Sequence, residues 1–131
     1  MTPPLLLDTH AFLWYATGNA LMSLTARDAI TRAEDVYVSA ASAWETRTKY
    51  RLGKLSGAAA VATDLPDVVA RLKFRPLPIE FEDGDLAGAL EGRHGDPFDR
   101  MLVAQALAEG MTLVSEDAAL APYGVPVLGA A

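Results

Sequence analysis

The chain has 131 residues, enough for one domain around one core, and at 51% hydrophobic and 21% charged it has a globular composition. It holds no cysteine, which removes disulfides, thiolate-bound zinc and a Cys nucleophile; no apolar run approaches the ~20 residues of a membrane-spanning helix, and Asp8 and His10 come too early for a signal peptide, so a cytoplasmic protein with no membrane partner is expected. The net charge of −6 argues against a nucleic-acid partner, unless bound cations dominate the local field.

Leu5-Leu6-Leu7 is a short continuous apolar run, the pattern of a strand buried on both faces. Thr9 to Ala16 reads as a helix stopped at Gly18-Asn19. Ser23 or Thr25 caps a second helix to about Ala33, and Val36 to Val38 is the second strand. Ser39 to Leu52 is helical and ends at Gly53; Ala58 to Leu72 is helical, with a break expected at Pro66. Leu77 to Ile79, fenced by Pro76 and Pro78, predicts a strand at a sheet edge. A helix from about Phe81 to Leu90 precedes the loop Gly92-Arg93-His94-Gly95. Phe98 to Glu109 is a helix ended by Gly110, and Thr112 to Val114 and Val125 to Leu128 are two further strands with a short helix between them. This alternation predicts an α/β domain over residues 1–131, with a mostly parallel sheet covered by helices.

Four acids stand where apolar runs give way to helices: Asp8, Glu45, Asp99 and Asp117. In an open parallel sheet the carboxyl ends of the strands form the ligand-binding edge. Carboxylates converging there repel one another, and a hard divalent cation with oxygen ligands resolves the repulsion. Each acid also has a local structural reading. Asp8 can cap the helix at Thr9, and Ser42-x-x-Glu45 matches a capping box, although Ser39 serves equally well as the helix start. Asp96-Pro97-Phe98-Asp99 places Asp, Pro and Asp at the cap, first and third helical positions, and Ser115-Glu116-Asp117 is similar. The two readings are compatible, and capping leaves Glu45 unexplained if Ser39 starts its helix. An aspartyl-nucleophile phosphatase requires a second Asp where His10 stands, and a receiver-type signalling domain requires a late Lys, whereas no Lys follows Lys73.

Leu-Leu-Asp8-Thr9-His10-x-x-x-Trp14, Val38-Ser39-Ala-Ala-Ser42-x-Trp44-Glu45, Leu52-Gly53-Lys54-Leu55, His94-x-Asp96-Pro97-Phe98-Asp99-Arg100-Met101-Leu102, Val114-Ser115-x-Asp117 and Tyr123-x-Val125 follow in that order. This series resembles the PIN-domain endoribonuclease toxins of the VapC type, from about Leu5 to Leu128. The resemblance implies a three-layer α/β/α sandwich and a catalytic, metal-binding quartet at Asp8, Glu45, Asp99 and Asp117. It implies one or two Mg²⁺ (or Mn²⁺) ions, water attack on an RNA phosphodiester, and products with a 5′-phosphate and a 3′-hydroxyl. Thr9, Asp96 and Ser115 fall at positions expected to support the acids. An antitoxin of the VapB type and a homodimer are the implied partners. A PIN-fold protein that only binds RNA or a partner, without catalysis, is the alternative. The polar Thr46-Arg47-Thr48-Lys49 stretch and Glu116 depart from the family pattern.

Arg47, Lys49, Arg51 and Lys54 form the densest basic segment and read either as a solvated helix face or as an RNA track beside Glu45. Arg71, Lys73 and Arg75 are a lesser candidate. Arg100 reads as a structural ion pair, with phosphate contact the alternative. Trp14 and Trp44 read as packing anchors, with base stacking the alternative. His10 is expected at a helix side or interface, and His94 in RNA contact or loop packing.

Overall fold

The computed structural model describes residues 2–92 and 95–131. The expectations for His94 lie outside the described residues. Five strands form one sheet: β1 (Leu5–Leu7), β2 (Val36–Ser39), β3 (Arg75–Leu77), β4 (Thr112–Ser115) and β5 (Val127–Gly129). Their order is β3-β2-β1-β4-β5, and every pairing is parallel. The helices are α1 (Thr9–Thr17), α2 (Leu24–Arg32), α3 (Ala40–Arg51), α4 (Ala59–Ala62), α5 (Leu65–Arg71), α6 (Phe81–Ala89) and α7 (Pro97–Glu109), with a 3-10 helix at Ala118–Tyr123.

The triple leucine of β1 has a direct physical origin. Successive strand side chains point to opposite faces. Leu5 and Leu7 enter one core with Phe12, Ile30, Val61 and Val69, contributed by α1, α2, α4 and α5. Leu6 enters the other with Leu102, Val103, Ala106 and Leu120. Helix α6 packs on α7 on that second side. A strand covered on both faces has no solvent side to make polar, so the run is continuous.

The chain order places the cleft. It winds from β1 to β2 to β3 on one side of β1, then returns to β4 and β5 on the other. The winding direction therefore reverses between β1 and β4, and open α/β sheets bind ligands at such a crevice, outside the carboxyl ends of the strands. The backbone joins the two strands there: the Asp8 amide donates to the Val114 carbonyl at 2.9 Å.

Several elements differ from the sequence reading. The third strand is Arg75–Leu77 rather than Leu77–Ile79, and its partners are Tyr37, Val38 and Ser39. Pro78 has no amide to continue the ladder, and Pro76 is tolerated because β3 is an edge, as expected. The Ala58 to Leu72 helix is two helices, interrupted at Thr63 and Asp64; Pro66 lies in the first turn of α5, where a missing N–H costs nothing. The last strand begins at Val127, after Pro126, rather than at Val125. Ser39, not Ser42, caps α3, its side chain accepting from the Ala41 amide. The Ser42–Glu45 capping box is thus overturned, while a true one joins Glu80 and Asp83 at the start of α6.

Candidate active site

Asp8, Glu45, Asp96, Asp99, Glu116 and Asp117 line one cavity of about 360 Å³, together with Thr9, His10 and Lys49. The four acids singled out in the sequence thus share one cleft, at the switch point between β1 and β4. Local chain chemistry delivers each of them. Asp8 follows β1 and caps α1, accepting from the Ala11 amide at 2.8 Å. Asp96 caps α7 through the Phe98 and Asp99 amides, Pro97 opens the helix, and Asp99 occupies its first turn, as the sequence predicts. Asp117 caps the 3-10 helix through the Ala119 amide at 2.9 Å.

Glu45 is different. It lies in the middle of α3, buried, and caps nothing. Lys49 sits one turn later and places its Nζ 2.9 Å from Glu45 Oε2. The sequence reading leaves Lys49 on a solvated helix face or an RNA track beside Glu45; the structure places it in the cavity lining as the counter-ion of that buried carboxylate. The i, i+4 spacing of Glu and Lys is the signal that could have found this pair.

Asp8 has the most perturbed electrostatics. Burial pushes its carboxyl from 3.8 up to about 6; the hydrogen bonds from the Ser115 hydroxyl and the Ala11 amide and the charge of His10 oppose the rise, and the charge of Asp99 adds to it. Ser115, itself buried, also accepts from the Asp117 amide at 3.0 Å. One hydroxyl therefore ties Asp8 to the turn that carries Asp117. Thr9 donates to Ser42 at 3.1 Å, which fastens α1 to α3 rather than bonding an acid.

The remaining candidates are redistributed. Arg100 donates to the Ala87 carbonyl at 3.1 Å, to the Leu90 carbonyl and to the Tyr123 hydroxyl at 3.4 Å. It thus satisfies the exposed C-terminal carbonyls of α6, which directs it away from a phosphate role. Arg47 donates to the Ala62 carbonyl at 3.0 Å and lies over the Tyr50 ring. Arg51 is exposed and lines neither the acid cavity nor the cleft beside it. Trp44 is 65% exposed and packs edge-on against Phe98 at the surface. His10 stacks on Trp14 and places Nδ1 2.7 Å from Glu116 Oε1, giving Glu116 a partner that sequence spacing could not reveal. Gln105 escapes the sequence reading too: fully buried, it accepts from Ser39 at 2.6 Å and donates to the Pro78 carbonyl, linking α7 to the carboxyl ends of both β2 and β3.

A family model for the PIN domain matches residues 5–125. The chain belongs to the PIN-domain family. Solved structures agree on the fold of this PIN domain. A chain of the VapBC2 complex of Rickettsia felis, bound to a promoter DNA fragment, superposes with a TM-score of 0.72 at 14% identity, covering 96% of this chain and 98% of that one. A DNA-bound VapBC chain of Salmonella typhimurium gives 0.72 at 14% identity with full coverage of both, 100% each. The sarcin–ricin loop cleaving toxin VapC20 of Mycobacterium tuberculosis gives 0.62 at 20% identity, over 92% and 95%. Among curated proteins none matches the chain by sequence.

Among the described residues no three acid or histidine side chains form a preassembled metal cage. The donor chemistry nevertheless suits a hard cation: the cavity's acids offer only carboxylate oxygens.

Proposed function

We propose that this PIN domain is a Mg²⁺- or Mn²⁺-dependent endoribonuclease, and the toxin of a toxin–antitoxin pair whose partner is a small VapB-type antitoxin. The observation that carries the reading is the meeting of Asp8, Glu45, Asp99 and Asp117 in one cavity at the sheet's switch point. Helix capping accounts for Asp8 and Asp117 but not for Glu45, whose burial within α3 stabilises no helix end. The likeness to VapBC chains and to VapC20, described as a sarcin–ricin loop cleaving toxin, supports the substrate and the partner. A non-catalytic PIN-fold protein would have no use for a buried, partly repelling acid set.

Asp8, Glu45, Asp99 and Asp117 would hold the ion. When bound, Mg²⁺ or Mn²⁺ supplies Lewis acidity, lowering the pKa of water and offsetting charge on the phosphodiester and its leaving oxygen. The chain's own residues prepare the site. The Ala11 amide and the Ser115 hydroxyl fix the Asp8 carboxylate in one orientation. Ligand carboxylates must be ionised, so the proton on Asp8 competes with binding below about pH 6. Lys49 neutralises the buried Glu45 carboxylate. With Glu45 among the residues that would hold the ion, the Lys49 ammonium at the cavity wall would be available to the substrate's phosphate. His10 and Glu116 form a hydrogen-bonded pair on the same wall.

Purified wild type and Asp8→Asn, both folded, should be compared on single-stranded RNA with Mg²⁺, Mn²⁺ or a chelator. Cleavage by the wild type with metal, and its loss in the variant and in chelator, is expected. A folded Asp8→Asn protein that cleaves at the wild-type rate overturns the reading.

A further inference from the structure

A second cleft opens beside the acid cavity. It has a volume of about 320 Å³, the lower end of the range for small-ligand sites, and its lining includes His10, Trp14, Asn19, Lys49 and Lys54. His10 and Lys49 line both spaces, so they form the wall between them. The two spaces differ in charge. Six acids line the first, and none lines the second. In a protein of net charge −6, an acid-free cleft carrying two lysines is where a polyanion can continue past the site.

The end of α3 explains why two lysines meet there. Gly53 adopts φ +70 in the left-handed region. Its amide donates to the Tyr50 carbonyl, and the Lys54 amide donates to the Lys49 carbonyl at 2.8 Å. This paired arrangement reverses the chain at the helix end and returns Lys54 to the side of Lys49. Lys49 is held by Glu45, whereas Lys54 makes no ion pair among the described residues. Trp14 supplies an aromatic wall, half-buried and nearly parallel to the His10 ring, with centroids 6.0 Å apart. Leu55 and Ala58 supply an apolar floor. A cationic, aromatic, partly apolar cleft next to a hydrolytic site matches the chemistry of one nucleotide: a phosphate for the lysines and a base for the ring.

We propose that this cleft is a nucleotide subsite, which takes the RNA residue flanking the scissile phosphodiester, with its phosphate on Lys54 and Lys49 and its base against Trp14. Its place relative to the scissile bond rests on the nuclease reading; its affinity for RNA does not. Of the basic segment, Lys49 and Lys54 are thereby assigned to RNA, and Arg47 is not.

Two measurements test the proposal. Trp44→Phe leaves Trp14 as the sole tryptophan. In that protein, with Asp99→Asn added to suppress cleavage, short single-stranded RNA should quench Trp14 emission saturably. In the otherwise wild-type protein, Lys54→Ala should raise KM for RNA about tenfold, leave kcat unchanged and flatten the salt dependence of binding by ~0.7 in log–log slope. RNA cleaved with unchanged KM and salt slope in Lys54→Ala, and with Trp14 unquenched, overturns the subsite and leaves the nuclease reading intact. RNA that quenches Trp14 but is not cleaved by the wild type with metal overturns the nuclease reading and keeps the subsite as an RNA-binding cleft. RNA that neither binds nor is cleaved overturns both, and points to a protein partner as the occupant.

Discussion

Replacing Asp8 by Asn separates its charge from its capping role. Asn keeps the cap, because its carbonyl oxygen can accept the Ala11 amide that Asp8 accepts at 2.8 Å. It removes a buried charge. The carboxyl of Asp8 titrates near 6 rather than 3.8, chiefly through burial. That displacement disfavours the ionised form by roughly 3 kcal/mol at neutral pH. That figure is already net of the bonds from Ser115 and Ala11, but Asn brings a side-chain N–H₂ that needs a partner in the buried site, which returns about 1–2 kcal/mol of the gain. The metal-free Asp8→Asn protein should therefore be more stable than wild type at pH 8 by about 1–2 kcal/mol, several degrees in Tm for a domain of this size. The folded wild type holds its proton longer than the unfolded chain, so this group's contribution falls as pH rises from about 3.8 to about 6, and is constant above. The advantage of the variant should accordingly shrink to nothing or reverse near pH 4. Thermal melts of both proteins in chelator, across pH 4 to 8, measure it, and the difference between the two cancels the other carboxylates. An Asp8→Asn protein that is less stable by the same amount at every pH refutes the argument, since the cap alone would then matter.

Three further substitutions probe the framework. Thr46 is fully buried with its hydroxyl unpartnered among the described residues, so Thr46→Val should stabilise the fold by about 1 kcal/mol in urea denaturation; a loss would reveal a partner for that hydroxyl. Gln105→Leu strips the Ser39 hydroxyl and the Pro78 carbonyl of their buried partner and should cost about 1–3 kcal/mol in the same assay, with no change indicating that water replaces the amide. Gly92 holds φ +136, and a Cβ there would stand 2.8 Å from the Tyr123 ring, so Gly92→Ala should lower stability by about 1–3 kcal/mol and an unchanged midpoint would contradict that packing.

How legible the site was in the sequence depended on range. Asp96-Pro97 announced the start of α7 because capping is local chemistry. The three leucines before Asp8 announced a two-face-buried strand for the same reason. These signals brought Asp8 to a strand end and Asp99 to a helix start, and the parallel order placed both at one edge of the sheet. Long-range partners were not legible. Arg100 satisfies the end of α6, and His10 meets Glu116 across 106 positions, neither of which any spacing encodes. The basic segment divides by helix geometry. Residues two apart on a helix face different directions, and Arg47 turns to the Ala62 carbonyl while Lys49 turns to Glu45. The β3 error was one of register, where two prolines marked an edge without fixing which residues pair.

The chemistry of the cut ends tests most directly whether this acid cavity directs water at an RNA phosphodiester. Wild-type protein with Mg²⁺ or Mn²⁺ should leave a 5′-phosphate and a 3′-hydroxyl, and Asp99→Asn should leave the RNA intact. Products ending in a 2′,3′-cyclic phosphate, or equal cleavage by the Asp99→Asn protein, would contradict the account.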